Sequence, residues 1–418
     1  MTYAVLTFGC RANQADSFDI EHEFLREGTS PAPPESADVV IINTCTVTAA
    51  ADRAARRTIR RISRLNPAAR IIATGCYATR QTGSVATLPG VARVVPNDRK
   101  LNLGALLGDG WLQARAHPAG SGAPPALRPG ARGRTAFPLR VQAGCDERCA
   151  YCIVPFTRGP GRSRPLPVVV DQTRRLAAAG YKELWLTGVH LGAWGRDLSP
   201  RSGLIDLLRT LDREAGDVTF RLSSLEPMDC TVELVEFVAR SGRFLPHLHL
   251  PLQHASDRML AAMRRPYSLA QYRALVDGIR HRMPDAAIGT DLMTGFPGEG
   301  DADTELQLAY VEDAPFSYLH VFPYSERPGT EASRLAGKVP DGVARARAAR
   351  LRGAATTIAA RFAATQAGRV RHGLTLEDGS LVLTDNYLKV RIPPGLPRNQ
   401  RVRVRLLGGT PLRGALVP

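Results

Sequence analysis

Long apolar runs are missing from this sequence. The longest segments without Asp, Glu, Lys or Arg are thirteen residues, at 39–51 and 244–256, whereas a membrane-spanning helix needs about 20. The opening residues, MTYAVLTFGC, also lack the basic region and long apolar stretch of a signal peptide. We therefore expect no membrane partner and a cytoplasmic location. There, the seven cysteines are expected to be free thiols, metal ligands or catalytic groups rather than disulfides.

Acidic residues are few relative to basic ones. Asp and Glu number 39 against 55 Lys and Arg, which gives a formal net charge of +16 across 418 residues. Such a surplus favours a polyanionic partner, nucleic acid before anionic lipid, because binding to phosphates releases counterions. An Arg-rich composition without a nucleic-acid role is the alternative. With 44% hydrophobic residues, a large core is available, and the length fits two or three domains.

The first part of the chain repeats a strand-and-helix unit. Short apolar, β-branched runs at 3–8, 39–42 and 70–73 are each followed by turn residues and a helical pattern. The second helix is the clearest, since Thr48 can cap it and its Ala and Ile residues share one face. Alternating strands and helices predict an N-terminal parallel α/β domain at 1–112. The Pro-, Gly- and Ala-rich segment 113–137 is predicted to be a linker.

Six further strands are predicted after the linker, with helical segments between them. They are expected at 139–142, 184–187, 219–223, 248–252, 288–293 and 318–322. Six successive βα units predict a partial (β/α)6 barrel or an open α/β layer of parallel strands, with chemistry at the strands' C-terminal ends. We place this central domain at 138–365, and a long basic helix is predicted at 341–367.

The end of the chain changes character again. Short alternating runs broken by Pro and Gly predict a small all-β module at 366–418, where nine basic residues against three acidic ones give a net charge of +6. Alternation in RVRVRLL places Arg401, Arg403 and Arg405 on one strand face, which suits phosphate contacts. A sheet edge kept charged to prevent aggregation is the alternative. The basic helix at 341–367 is a second candidate for an RNA surface.

The most specific motif is a group of three cysteines, Cys145, Cys149 and Cys152, within VQAGCDERCAYCIVPFTRGPGRSR. Three thiolates on one loop can converge on a metal centre. Four would suit a closed structural zinc site, whereas three leave a position open, as in a [4Fe–4S] cluster with one iron free for a ligand. Incidental thiols, or a zinc site completed by a nearby His, are the alternatives.

A second group of cysteines is spread over the N-terminal domain. Cys10, Cys45 and Cys76 each follow one of its three predicted strands, in TFGC, INTC and ATGC. The C-terminal ends of parallel strands line one crevice, so these cysteines are expected to meet there. A single cysteine is more often a small core residue, but three at equivalent strand ends favour a second three-cysteine cluster. Cys230 has no such context and is predicted to be structural.

These residues carry a family resemblance. The Cys145–Cys149–Cys152 motif resembles the cluster motif of radical S-adenosylmethionine enzymes, and the N-terminal cysteines and the terminal module resemble the methylthiotransferases among them, including their RNA-binding TRAM domain. Other matching segments are FGCRANQAD, NTCTVTAAADR, YCIVPFTRGPGRSR, LTGVHLGAWGRDL, RLSSLEP, HLHLPLQHASDRMLAAMRR, TDLMTGFPGE and FPYSERPGTEA. Departures at Ala143, Asp146 and Ala255 are minor and affect no ligand.

The resemblance implies an enzyme that modifies tRNA. Among the branches of this family, the sequence is most similar to the one that methylthiolates carbon 2 of N6-threonylcarbamoyladenosine next to the anticodon. The resemblance also implies two [4Fe–4S] clusters, S-adenosylmethionine as radical source and methyl donor, and an electron donor such as flavodoxin or ferredoxin. The alternatives are isopentenyladenosine tRNA or a ribosomal-protein aspartate as substrate. A non-catalytic metal-containing RNA-binding protein is an alternative of a different class.

The resemblance also implies which residues contact S-adenosylmethionine. They are Tyr151, Thr187, Gly188, Ser223, Glu226 and Gln253. For the strand-end residues among them, ordinary loop hydrogen bonding is the alternative. His190, His247, His249 and His254 are predicted to be packed side chains rather than metal ligands, because six thiolates already supply both clusters.

Overall fold

The computed structural model describes residues 1–100, 103, 128–130 and 134–418. The linker predicted at 113–137 lies mostly outside the described residues, as does the predicted end of the N-terminal domain at 112.

The N-terminal region is a five-stranded parallel sheet with helices on both faces. Its strand order is β2-β1-β3-β4-β5. The strands are β1 (Thr2–Thr7), β2 (Ser30–Pro31), β3 (Val39–Thr44), β4 (Arg70–Thr74) and β5 (Val91–Val95). The helices are α1 (Arg11–Arg26), α2 (Ala49–Leu65), α3 (Gly75–Arg80) and α4 (Thr82–Ala86). The three predicted strands are confirmed, and the sheet adds β2 and β5 at its edges.

The local sequence explains why this sheet forms. All six residues of β3 are buried, as expected for a central parallel strand covered on both faces. Thr48 caps α2 as predicted, since its hydroxyl accepts a hydrogen bond from the Ala51 amide at 3.2 Å. Ala55, Ile59 and Ile62 are fully buried and pack that helix against the sheet. Cys45 is thereby held between the end of β3 and the start of α2.

The central region is a partial barrel of six parallel strands. Its strands are β6 (Phe137–Arg140), β9 (Glu183–Thr187), β10 (Thr219–Leu222), β11 (His247–His249), β12 (Ala287–Thr294) and β13 (Tyr318–Pro323). Two three-stranded sheets, β10-β9-β6 and β11-β12-β13, meet where the Phe220 amide donates to the Arg243 carbonyl at 2.7 Å. A small two-stranded antiparallel sheet lies beside them, formed by β7 (Gln142–Ala143) and β8 (Arg162–Ser163).

Helices cover the outside of this barrel. They are α5 (Val154–Arg158), α6 (Leu166–Ala178), α7 (Leu204–Glu214), α8 (Val232–Arg240), α9 (Asp257–Ala262), α10 (Leu269–Arg282), α11 (Asp301–Asp313) and α12 (Asp341–Thr365). Strand residues such as Leu184 and Leu186 belong to the core beneath these helices. Side chains alternate along a strand, so Trp185 and Thr187 lie on the opposite face, toward the barrel lumen. The six predicted strands are confirmed.

The C-terminal region is a small closed β-barrel in the order β14-β15-β16-β18-β17. It consists of β14 (Val370–Leu376), β15 (Leu381–Thr384), β16 (Lys389–Arg391), β17 (Arg401–Gly408) and β18 (Arg413–Val417). Fully buried Arg221 of β10 ties it to the central barrel by donating hydrogen bonds to the carbonyls of Asp385, 2.9 Å, and Thr384, 3.1 Å. The predicted all-β module is confirmed. Among the described helices, none is long and apolar enough to cross a membrane.

Candidate active site

The first set of thiols lies on the loop between β7 and α5. Cys145, Cys149 and Cys152 are all partly exposed. The Cys145 amide donates to the Gly159 carbonyl at 3.1 Å, and this bond closes the loop. Gly144 allows the closure because it has a φ of +73° and no Cβ that would collide with Pro160.

The three thiols are near enough to raise one another's pKa. Burial is the main cause that raises the pKa of Cys145 to about 12, and Cys152 and Cys149 raise it further. Burial and the Cys149 thiol likewise raise the pKa of Cys152 to about 12. Such thiols stay protonated at neutral pH unless a cation replaces their protons. A metal centre with three thiolate ligands therefore fits this donor set.

A buried guanidinium lies against this set. Arg265 donates a hydrogen bond from Nη1 to the Cys149 sulfur at 3.0 Å, and its other terminal nitrogen forms an ion pair with Glu226. Its Nε donates to the Tyr267 hydroxyl at 2.9 Å. Burial alone would lower the pKa of Arg265, but Tyr151, Glu226 and the neighbouring thiol raise it well above its ordinary value. A permanent positive charge therefore lies beside the Cys149 sulfur.

Three of the residues expected at the cofactor lie together at the ends of β9 and β10. Thr187 is 1% exposed. Gly188 is closely packed, because a Cβ there would lie 3.0 Å from the Gln142 side-chain oxygen. The Ser223 amide donates to the Leu186 carbonyl at 3.0 Å, and its buried hydroxyl has no hydrogen-bond partner among the described residues. That unpaired hydroxyl fits a site built for a polar ligand.

The other three residues expected at the cofactor lie at two places in the site. Glu226 and Tyr151 both interact electrostatically with Arg265 and Cys149. Gln253 lies beyond β11 with a φ of +73°, and its amide donates to the Asp291 carbonyl at 2.8 Å. A positive φ at a residue other than glycine is unfavourable and is held here by neighbouring structure.

The second set of thiols meets at the C-terminal edge of the N-terminal sheet. Cys10, Cys45 and Cys76 follow β1, β3 and β4. Gly9, with a φ of +88°, lies so close to Cys45 that a Cβ would collide with its sulfur. Burial, with smaller contributions from Cys10 and Cys76, raises the pKa of Cys45 to about 11. Because the C-terminal ends of parallel strands lie at one edge of the sheet, three cysteines that are distant in sequence lie at one crevice.

Cations lower the pKa of one thiol in this second set. Burial acts to raise the pKa of Cys76, but Arg158 and Lys100 more than offset it, so that its pKa lies below the ordinary value. The Asn97 side-chain amide also donates to the Cys76 sulfur at 3.5 Å. Its side-chain oxygen, like the Thr46 hydroxyl, is buried without a hydrogen-bond partner among the described residues. The two cations, the Asn97 amide nitrogen and the Thr46 hydroxyl suit a bound anionic cluster.

One helix turn connects the two sets of thiols. Helix α5 begins directly after Cys152, and its last residue, Arg158, donates to Asp16 at 2.9 Å on α1, the helix that Cys10 precedes. Asp16 also pairs with Lys100 at 2.5 Å and with Arg140 at 3.1 Å. These groups are buried, and Arg158 also lowers the pKa of Cys76, so α5 links the loop of the first thiol set to the surroundings of the second.

Several residues of this site were not predicted from the sequence. Arg158 and Arg265 lie within the matching segments, but the sequence alone does not distinguish them from other arginines there; the position of Arg158 six residues after Cys152 is the one local signal. His190 is buried, as predicted, with its Nε2 2.6 Å from Asp229 and its Nδ1 3.8 Å from the Cys145 sulfur. Cys230 is buried, in keeping with a structural role.

The three arginines expected to face nucleic acid differ in their contacts. Arg401, Arg403 and Arg405 are exposed while Val404 is buried, so the alternation along β17 is present. Arg401 forms an ion pair with Asp217 of the central region and donates to its carbonyl at 3.1 Å. Arg403 donates to the carbonyl of Pro418. Arg401 therefore contributes to the contact between the two barrels.

Family models match two parts of the chain. Residues 2–96 match the uncharacterized protein family UPF0004, and residues 139–308 match the radical SAM superfamily. These two matches contain the second and the first set of thiols respectively. Among solved structures, the fold is similar to that of the radical S-adenosylmethionine methyltransferase TsrM from Kitasatospora setae, with a TM-score of 0.59, 16% identity, and 79% of this chain and 76% of that chain covered.

Curated relatives match over nearly the whole length. The chain is 35% identical to the threonylcarbamoyladenosine tRNA methylthiotransferase MtaB of Aquifex aeolicus, covering 94% of this chain and 96% of that protein. It is 35% identical to the Bacillus subtilis protein of the same name, covering 93% and 90%. It is 32% identical to the tRNA-2-methylthio-N(6)-dimethylallyladenosine synthase of Erythrobacter litoralis, covering 88% and 85%. With both three-thiol sets in place, the chain belongs to the radical S-adenosylmethionine methylthiotransferase family.

Proposed function

We propose that this protein methylthiolates carbon 2 of N6-threonylcarbamoyladenosine next to the anticodon of tRNA, giving 2-methylthio-N6-threonylcarbamoyladenosine. The observation that carries the proposal is the presence of two three-thiol sets in regions that are joined through the buried pair of Arg158 and Asp16. A structural metal site is normally closed by four ligands, so two three-ligand sites favour catalysis over a purely structural role.

In this proposal, Cys145, Cys149 and Cys152 hold one [4Fe–4S] cluster, and a second is held by the N-terminal thiols Cys10, Cys45 and Cys76. When bound, the first cluster and S-adenosylmethionine supply one-electron chemistry that can act on an unactivated aromatic C–H, and the second supplies the sulfur. The protein's own part is to bind, orient and exclude water.

The chain's side chains have separate tasks in that scheme. Arg265 balances the charge at Cys149 and fixes the Glu226 carboxylate. The free Ser223 hydroxyl and the tightly packed Gly188 line the strand ends where S-adenosylmethionine is expected. Arg158 neutralises charge at Cys76. Because both guanidiniums are buried and paired with carboxylates, they are in place before substrate binds, which lowers the cost of reorganisation.

The domain assignment is part of the same proposal. It divides the chain into 1–112 for the second cluster, 138–365 for radical chemistry and 366–418 for RNA binding. The family matches at 2–96 and 139–308 support the first two units. For the third, the support is a closed β-barrel with exposed arginines on β17. An external donor such as flavodoxin or ferredoxin would supply electrons.

The choice of nucleoside depends on the relatives. Relatives named for threonylcarbamoyladenosine are 30% to 35% identical to this chain, and relatives named for dimethylallyladenosine are 32% to 34% identical. Because these ranges overlap, isopentenyladenosine tRNA is the second candidate substrate. A ribosomal-protein aspartate, or a non-catalytic RNA-binding role, has no comparable support.

Nucleoside mass spectrometry decides between these substrates. The chain is expressed in a bacterium lacking its own methylthiotransferases for both nucleosides, and digested tRNA is analysed. We expect the methylthio derivative of threonylcarbamoyladenosine and none of the isopentenyl derivative. A Cys45→Ala variant serves as the inactive control. Exclusive formation of the isopentenyl product would overturn the substrate assignment, and absence of both products would overturn the enzymatic one.

A further inference from the structure

Three side chains of types that can ligate a metal meet inside the central barrel, and none of them belongs to either thiol set. His249, Asp291 and His320 lie on the adjacent strands β11, β12 and β13, and Asp291 is paired directly with His320 in the strand register. Their strand neighbours Leu248, Leu292 and Val321 belong to the outer core, so the three side chains face the lumen.

The distances among these groups match those of ligands around one ion. The Nε2 of His249 lies 3.0 Å from the Oδ1 of Asp291, and the Nδ1 of His320 lies 3.2 Å from the same oxygen. All three donor atoms lie within 4.8 Å of one another. Ligands bound at about 2.1 Å and separated by angles of about 90° to 110° stand roughly 3.0–3.4 Å apart.

The surroundings of His249 supply the support that metal-binding histidines require. Its other ring nitrogen, Nδ1, lies 3.0 Å from the Tyr318 hydroxyl, which in turn lies 2.7 Å from the Nε2 of His247. Tyr318 reaches this position because Gly289 has no side chain, and a Cβ there would collide with the tyrosine ring. Such a hydrogen bond fixes the ring and leaves the opposite nitrogen free to coordinate.

The three side chains differ in their exposure to solvent. The side chain of His249 is 5% exposed and that of Asp291 is 24% exposed, whereas that of His320 is 51% exposed. Two imidazoles and one carboxylate suit divalent transition ions, while the thiol sets suit softer iron–sulfur centres. We propose that His249, Asp291 and His320 bind one divalent transition ion of the zinc class, with its remaining coordination positions open to the barrel lumen.

Zinc itself is the probe for this site. Holoprotein with reconstituted iron–sulfur clusters is dialysed anaerobically against micromolar Zn²⁺, and bound zinc is counted by elemental analysis. Zinc K-edge X-ray absorption then reports the ligands without interference from iron. We expect one zinc per chain with a nitrogen and oxygen shell at about 2.0–2.1 Å and no sulfur at about 2.3 Å.

Variants assign the ion to this group. His320→Asn and Asp291→Asn should abolish the bound zinc, and Tyr318→Phe should weaken its affinity about 10- to 100-fold by removing the hydrogen bond to His249. His281→Asn, at an exposed histidine on α10, should bind as the native protein does. Sulfur ligation, absence of zinc from the native holoprotein, or unchanged binding in His320→Asn would overturn the proposal, and would show that the group is only a hydrogen-bonded network.

Discussion

Arg158 and Asp16 form a hydrogen-bonded ion pair at 2.9 Å across 142 positions of sequence. The pair joins the helix that follows the first thiol set to the helix that follows Cys10. It is buried and shared with Lys100 and Arg140, so the geometry of the interdomain site depends on one carboxylate. Burial opposes ionisation of Asp16, but these three cations hold its pKa well below its usual range.

Removing this carboxylate should destabilise the protein strongly. In Asp16→Ala, three buried cations lose their shared counter-charge, and breaking a buried pair typically costs about 3–5 kcal/mol. The free energy of unfolding, measured by urea denaturation of the cluster-loaded protein, should fall by about that amount. Asp171→Ala is the matched control, because it breaks only an exposed pair with Arg175 and should change stability by less than about 1 kcal/mol. Equal effects in both variants would contradict the central role of Asp16.

The two thiol sets should be separable by single substitutions. Cys149→Ala removes a ligand of the first set and should abolish reductive cleavage of S-adenosylmethionine, measured as 5′-deoxyadenosine under reductant. Cys45→Ala should retain that cleavage yet form no thiolated nucleoside. Cys230→Ala, which changes a buried cysteine outside both sets, is the control and should retain both activities. Formation of methylthio product by Cys45→Ala would place the sulfur source elsewhere.

The sequence predicted the thiol sets better than it predicted their partners. Cys10, Cys45 and Cys76 could be grouped because each follows a parallel strand, and the ends of such strands share one edge by geometry. Arg265 and Cys149, by contrast, are 116 positions apart, and their contact depends on how α9 and the cysteine loop pack. Local periodicity carries no information about such a pair.

The histidines show the same limit of prediction from local sequence patterns. The alternation of His247 and His249 on a buried strand predicted packed side chains, and both are at most 5% exposed. The alternation within one strand could not predict the contacts with Asp291 and His320, because these residues lie on other strands. Strand register, which places Asp291 opposite His320, is what assembles the group in the barrel lumen.

Stability should depend on pH through His254. Burial lowers the pKa of this histidine to about 4 from an ordinary 6.5, and its Nδ1 accepts a hydrogen bond from the Ser256 amide at 3.0 Å. Between these two values the unfolded chain binds a proton that the folded chain does not, so stability falls as pH decreases. From about pH 7 to about pH 5.5 the loss attributable to His254 is about 1 kcal/mol.

A comparison of variants isolates this contribution. The urea midpoint of native protein and of His254→Asn is measured at both pH values, and the variant should lose less stability on acidification by about 1 kcal/mol. His281→Asn, at an exposed position, should retain the native dependence on pH. An identical dependence in native protein and His254→Asn would show that other groups dominate.

The last prediction concerns RNA binding by β17. Arg401 is paired with Asp217. Arg403 and Arg405 form no ion pair with an Asp or Glu residue in the part of the chain that the structure describes. We therefore expect Arg403 and Arg405 to supply most of the phosphate contacts made by this strand. Changing both to Gln should weaken tRNA binding and reduce the slope of log affinity against log salt by roughly 0.9 per duplex contact, or about 2 units.

Arg401→Gln separates phosphate binding from interdomain packing. Because its guanidinium holds Asp217, this variant should change the salt slope by less than about 0.9 units while lowering thermal stability. Cleavage of S-adenosylmethionine without tRNA should persist in the Arg403/Arg405 variant, since both thiol sets are in other regions. Thiolation should fall mainly through apparent tRNA affinity, as expected when binding shared by ground and transition states is lost. An unchanged affinity and slope would mean that β17 is only a charged sheet edge, and would transfer the RNA-binding role to α12, with exposed Arg345 as the first residue to test.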